Sequence, residues 1–144
     1  IFKAKSAGIS VPDCFLSNEY IPVPALMYAV NPYMRRHALV LKERNSRAIA
    51  KSLTRNFKYV MLGQKWPQGA SLREFNLIMD HTPTVEFAAL ARRLWSVFHL
   101  PLARVRVITT PRGDTLFSAT LPLPLSRLKR KELQLLHRAE QWQI

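Results

Sequence analysis

A row of basic side chains between residues 44 and 58 is the part of this sequence most suited to binding chemistry. The spacing is three, four, four and three residues, so one helix would place the whole row on a single face. A row of like charges favours a polyanion, because phosphate contacts relieve the repulsion and release counterions. A solvated helix face is the alternative. The row consists of Arg44, Arg47, Lys51, Arg55 and Lys58.

Other basic groups suggest the same chemistry. One pair directly precedes the row, and one cluster near the C-terminal end is interleaved with leucines, which leaves a membrane-surface helix or a solvated tail as alternatives. A third group lies on or beside a predicted hairpin, where an ordinary solvent-facing sheet surface is equally compatible. We predict RNA contacts for Arg35, Arg36, Arg44, Arg47, Lys51, Arg55, Lys58, Arg104, Arg106, Arg112, Arg127, Lys129, Arg130 and Lys131.

Residues that could catalyse a reaction or bind a metal are scattered. The four histidines lack metal-ligand spacing, and Cys14 has no adjacent base. The nine acidic residues form no paired-carboxylate motif, and four glycines are too few for a phosphate-cradling loop. We therefore predict a non-enzyme with no catalytic residue, metal, cofactor or small-molecule substrate. A nuclease or RNA-modifying enzyme would require an acid-rich or metal-binding cleft.

The charge balance restricts the class of partner. The 144 residues include 22 Lys and Arg against 9 Asp and Glu, a net charge of +13. Nucleic acid and an anionic membrane surface are the candidate polyanions. No apolar run reaches the roughly 18 to 20 residues of a membrane-spanning helix, so membrane contact is not expected. The sequence begins with Ile1, which is compatible with removal of a targeting segment.

Charge and proline distribution predict four segments. Residues 1–34 are neutral and rich in proline, as in an extended arm, and residues 35–66 form a basic helical segment with a helix from Leu41 to Tyr59. Ile49, Leu53 and Phe57 recur every four residues and should face the core. Residues 67–124 form an α+β core, and residues 125–144 form a basic C-terminal helix.

The core combines two apolar periodicities. A strand of period two is predicted over 72–79, and a helix begins at Thr82-Pro83 and ends before Pro101. An alternating segment at 103–109 is followed by turn residues at 110–114 and by a return strand at 115–121. We therefore predict an α+β fold: a small antiparallel-containing sheet in a β-α-β-β core, one packed helix, and basic helical and extended extensions.

Residues 72–121 resemble large-subunit ribosomal protein twenty-three, particularly its mitochondrial forms. The similarity is carried by the strand Phe75–Met79, by Thr82-Pro83 at the helix start, and by the passage from Leu94–Leu102 into Val105–Val107. The connection over 110–114 is shorter than the long basic loop of bacterial members. The resemblance implies a place near the nascent-chain exit, with ribosomal RNA and neighbouring ribosomal proteins as partners.

Charge and resemblance together predict a structural component of the large subunit of the mitochondrial ribosome, located in the matrix. The alternative is a non-catalytic accessory subunit of a membrane-bound organellar complex.

Overall fold

The computed structural model describes residues 1–30 and 36–141. The predicted α+β class is confirmed by the combination of helices with antiparallel sheets. In chain order the elements are α1 (Phe2–Ser6), β1 (Cys14–Ser17), β2 (Ala25–Ala29), β3 (His37–Val40), α2 (Ser46–Leu53), β4 (Met61–Lys65), β5 (Ser71–Ile78), α3 (Ala88–Phe98), β6 (Leu102–Thr109), β7 (Thr115–Pro122) and α4 (Arg130–Gln141).

The chain divides into two compact units. One comprises residues 12–70, and the other comprises residues 1–11 together with the chain from Ser71 onward. These bounds differ from those of the four segments predicted from charge and proline content. The difference arises because strand pairing and core packing, which charge distribution does not report, decide which residues fold together.

The described part of residues 12–70 forms a four-stranded antiparallel sheet in the order β1-β4-β2-β3. Much of the segment predicted as an extended arm is therefore β-sheet, because Ala25–Ala29 pairs with both β3 and β4. Ile49 and Phe57 pack against a core that contains Leu53, as their spacing predicts.

Helix α2 is much shorter than the helix predicted over 41–59, because it ends at Leu53. The buried Thr54 hydroxyl donates to the Ala50 carbonyl over 2.6 Å and accepts the Phe57 N–H over 2.8 Å. Such side-chain bonds compete with the helical ladder. Arg55, Asn56 and Phe57 then adopt positive φ angles, which a continuing α-helix excludes. The basic row therefore does not lie on one continuous helix.

Gly63 has a steric role in the same sheet. It lies opposite Phe15 in the β1–β4 register, and the Phe15 ring occupies the space that a Cβ atom on residue 63 would need. A larger residue at this position would displace either the ring or the strand, so the close approach requires glycine here.

The second unit contains a three-stranded antiparallel sheet in the order β5-β6-β7. A register shift between Arg106 and Val107 interrupts the β6–β7 pairing. Alternation places Phe75, Leu77 and Val105 on one face, where they are buried with residues of α3. Polar side chains of β5 and β6, including Glu74 and Arg106, alternate with these residues and occupy the opposite face.

Helix α3 begins later than predicted. The Thr82 hydroxyl accepts the Thr84 N–H over 3.2 Å, which forms a local turn instead of a helix cap. A short 3-10 helix at Val85–Phe87 follows, and α3 itself begins at Ala88. His99 closes the helix in the left-handed conformation, with φ of 51°, so the chain has left the helix before Pro101.

Replacement of Leu94 by alanine should destabilise the second unit. Leu94 is fully buried in the core between α3 and the sheet, so truncation should lower the free energy of unfolding by about 2 to 5 kcal/mol. Urea unfolding followed by circular dichroism would measure the change. Leu125→Ala is the matched control because Leu125 is 60% exposed, and its effect should stay within about 0.5 kcal/mol. Equal effects of the two substitutions would contradict this packing.

Candidate functional site

The predicted contact residues of the 12–70 unit are dispersed along its surface. Arg36 precedes β3, Arg44 lies in a 3-10 helix at Glu43–Asn45, and the Arg47 guanidinium is 3.3 Å from the Glu19 carboxylate. The exposed side chains of this group are Arg36, Arg44, Arg47, Lys51, Arg55 and Lys58. Arg35 lies outside the residues that the structure describes.

Four predicted contact residues of the second unit meet at one cavity. Lys129 precedes α4, Arg130 and Lys131 begin it, and Arg104 projects from β6. Arg112 and Arg127 do not line this cavity, and both are exposed. The structure thus brings together side chains from distant parts of the sequence, because α4 returns to contact β5.

The cavity has a volume of about 740 Å³, within the range of small-molecule sites. Its walls come from β5, β6, the segment before α3, and the beginning of α4. The lining residues are Glu74, Phe75, Asn76, Pro83, Thr84, Arg104, Lys129, Arg130, Lys131 and Glu132. Four cationic side chains against two carboxylates favour a small anion as the occupant.

Glu74 is committed to the arginines of the neighbouring strand. The β5–β6 register places it opposite Arg106, whose Nε and Nη2 donate to Glu74 Oε1 over 3.0 and 2.8 Å. The Arg104 guanidinium is 3.8 Å from Glu74 Oε2. Arg106 is only 5% exposed, so the alternative of an ordinary solvent-facing surface does not hold at this residue. Burial of this guanidinium requires a partner charge.

Glu132 holds the beginning of α4 against β5. It is 2% exposed, and its Oε1 accepts the backbone N–H of Lys129 over 3.0 Å. Its Oε2 accepts a hydrogen bond from the side-chain amide of Asn76. A glutamate three residues after the N-cap that reaches back to the N-cap N–H is half of a capping box. The same contacts orient Lys129, Arg130 and Lys131 at the cavity wall.

Sequence reasoning did not identify Glu74 or Glu132. The spacing from Lys129 to Glu132 is the signal that could have identified the cap. Glu74 gives no comparable local signal, because its partner Arg106 is 32 residues away and the pairing depends on strand register.

Within residues 1–30 and 36–141, no helix is long and apolar enough to cross a membrane. The same described residues contain no group of three or more His, Cys, Asp or Glu side chains arranged to hold a metal ion.

Comparison with known proteins gives matches to structures alone. No family model matches the sequence, and no curated protein matches it either. The similar structures include a RimK-domain ATP-grasp protein from Sphaerobacter thermophilus, with 16% identity and a TM-score of 0.61 over 83% of this chain and 54% of that one.

D-alanine–D-alanine ligase from Helicobacter pylori matches 97% of this chain and 55% of its own, with 15% identity and a TM-score of 0.63. The ATP-grasp ligase PsnB, solved with a minimal precursor, Mg and ADP, matches 88% of this chain and 49% of its own, with 12% identity and a TM-score of 0.58. The chain therefore spans about half the length of these ATP-grasp structures and shares their fold.

These matches overturn the predicted identity. The resemblance to large-subunit ribosomal protein twenty-three is wrong, and so are the ribosomal function and the accessory-subunit alternative. The predictions of a non-enzyme, of ribosomal RNA and ribosomal proteins as partners, and of no small-molecule substrate are corrected by the same finding, because the shared fold is that of nucleotide-using ligases. The physical cause of the error is that a high positive charge favours the binding of any anion and does not indicate RNA in particular.

Some predictions are untested by these comparisons. The assignment of the fourteen basic residues as RNA contacts stays a prediction, although ribosomal RNA is no longer the expected partner. The mitochondrial location also stays a prediction.

The carboxylates that line the cavity are poorly suited to coordinate Mg²⁺. Magnesium sites in phosphate-handling proteins use one or two carboxylates together with substrate phosphates. Glu74 already pairs with Arg106, and both oxygens of Glu132 accept hydrogen bonds from the protein. The described cavity therefore supplies cations for an anion, and protein groups already engage both of its carboxylates.

Substitution of Glu132 by glutamine should destabilise the attachment of α4. The change keeps the side-chain shape but replaces one charged acceptor oxygen with an amide donor that cannot accept a hydrogen bond. We expect a loss of about 1 to 3 kcal/mol in the free energy of unfolding, measured by urea denaturation. Glu86→Gln is the control, because Glu86 is 57% exposed and pairs with Arg73 at the surface. Unchanged stability of the Glu132 variant would contradict the capping role.

Proposed function

We propose that this chain binds ATP and forms the nucleotide-binding part of an ATP-dependent ligase. The observation that carries the proposal is its likeness to ATP-grasp ligases over 83 to 97% of its length. Because the likeness extends over both units, a chance similarity of a single β-sheet does not explain it.

The cavity of the second unit supports the proposal independently. Phosphate groups are recognised in proteins by guanidinium and ammonium groups, which form short charge-assisted hydrogen bonds. Arg104, Lys129, Arg130 and Lys131 supply such donors around a volume large enough for a polyphosphate. These residues belong to the set predicted from sequence to contact phosphates, and the proposed phosphate is that of a nucleotide.

The finer architecture belongs to the same proposal. The predicted β-α-β-β core corresponds to β5, α3, β6 and β7, and we assign to it the role of a platform for the nucleotide. Helix α3 packs on one face of the sheet, which leaves the face with Glu74, Asn76 and Arg104 for binding. The buried face provides rigidity, and the polar face provides the ligand contacts.

Amino acids and peptides are the proposed co-substrates. The basis is that D-alanine–D-alanine ligase and PsnB, which was solved with its precursor peptide, are among the similar structures. A ligase of this class breaks a phosphoanhydride bond of ATP and joins two substrates, with ADP and phosphate as the other products.

Formation of ADP that depends on an added co-substrate tests the ligase proposal. The protein is incubated with ATP and Mg²⁺ in the presence of pooled amino acids or short peptides, and ADP and the joined product are measured by liquid chromatography and mass spectrometry. We expect ADP in proportion to joined product for at least one pool. Alanine at Lys129, Arg130 and Lys131 together should reduce the rate at least about tenfold, because each charged contact contributes about 1.5 to 3 kcal/mol when desolvated.

The control for that experiment removes three charges outside the cavity. The triple alanine variant at Lys5, Lys42 and Arg92, three exposed residues outside the predicted contact set, has the same net charge as the cavity variant, and it should retain activity. Absence of joined product from every pool, or equal loss in the two variants, would contradict the proposal.

A further inference from the structure

Glu74, one of the two carboxylates that line the cavity, is paired with a protein cation, and this pairing affects how a nucleotide can bind. Glu74 neutralises the guanidinium of Arg106, whose side chain is 6% exposed. A divalent cation at Glu74 would compete with its contacts to this guanidinium and would lie beside two cationic side chains, Arg104 and Arg106, that repel it. The Arg104 guanidinium, 3.8 Å from the other Glu74 oxygen, adds a further constraint.

The second carboxylate is similarly fixed. Glu132 is buried and accepts hydrogen bonds at both oxygens, from the Lys129 backbone and the Asn76 side chain. Releasing it would break the cap of α4 and leave buried donors without an acceptor. Hydrogen bonds thus fix Glu132, and two neighbouring guanidinium groups oppose a divalent cation at Glu74.

Three cations of the cavity have no such internal partner. Among the described residues, no carboxylate lies within 4.0 Å of the charged groups of Lys129, Arg130 or Lys131. All three are exposed and adjacent in sequence, so their charges repel one another. They also sit at the positive end of the α4 macrodipole, where cations are disfavoured. An anion in the cavity would relieve both repulsions.

We propose that the cavity binds the polyphosphate group of a nucleotide directly through Lys129, Arg130, Lys131 and Arg104, without a bridging divalent cation. The inference rests on the proposed function for the nucleotide, and it differs from the PsnB complex, which contains Mg with ADP. The protein cations take the charge-neutralising role that Mg²⁺ has in metal-dependent phosphate sites.

Isothermal titration calorimetry with ADP and with inorganic tripolyphosphate tests this mode of binding. Each probe is titrated into the 144-residue chain in buffer with EDTA and again in buffer with excess Mg²⁺. We expect both probes to bind in EDTA, and Mg²⁺ to leave the Kd within about threefold or to raise it, because Mg²⁺ competes for the phosphates in solution.

Two variants locate the binding. Alanine at Lys129, Arg130 and Lys131 together should weaken both probes at least about tenfold, which corresponds to about 1.4 kcal/mol. The triple alanine variant at Lys5, Lys42 and Arg92, which are exposed and do not line the cavity, should bind within about twofold of the unaltered protein. Circular dichroism of each variant checks that the fold is retained. If both variants weaken probe binding equally, the net charge of the protein alone attracts the probes, and the proposed site is overturned.

The outcomes separate this inference from the ligase proposal. Binding that requires Mg²⁺, or is at least about tenfold tighter with it, overturns the metal-independent mode and leaves the ligase proposal standing. If the probes bind in neither the EDTA buffer nor the Mg²⁺ buffer, the inference is also overturned. Binding in EDTA by a protein that forms no joined product supports the inference and contradicts the ligase proposal.

Discussion

The ion pair between Arg106 and Glu74 constrains the whole polar face of the β5–β6–β7 sheet. A guanidinium that is 5% exposed cannot remain without a counter-charge, since the desolvation penalty of an isolated buried ion is several kcal/mol. The strand register places Glu74 opposite Arg106, so the Glu74 carboxylate supplies that charge from the adjacent strand. The Nε and Nη2 donors of Arg106 hold the carboxylate in one orientation. The carboxylate is thereby removed from the chemistry of the cavity, although it lines the wall.

The electrostatics of the cavity follow from that constraint. Glu132 is withdrawn in the same way, because it caps α4 and accepts from Asn76. Two carboxylates that would otherwise attract a metal ion instead maintain the geometry of the surrounding cations. The positive potential of the cavity is thus a result of which charges are already paired, and a count of four cations against two acids underestimates it.

Local patterns predicted the second unit better than the first. Period-two alternation located β5 and β6 to within a residue or two, because one face of each strand is buried against α3, and the turn residues at 110–114 located the start of β7. In the 12–70 unit the strands are only four or five residues long, too short for a clear period, and a buried threonine ended a helix that the charge spacing extended to Tyr59. The cavity was unpredictable as a whole, since it joins β5 to residues more than fifty positions later.

The ribosomal interpretation failed because the net charge of a protein indicates the sign of a ligand's charge and not the size of the ligand. An extended RNA backbone requires cations spread along a surface, and the sequence appeared to offer that as a continuous basic helix. The structure instead ends that helix at Leu53, while it gathers Arg104 and the three cations at the start of α4 around a concave volume. Converging donors match a compact anion, because several of them can reach one phosphate group at once. The shape that the fold imposes on these charges therefore favours a compact anion over a polymer.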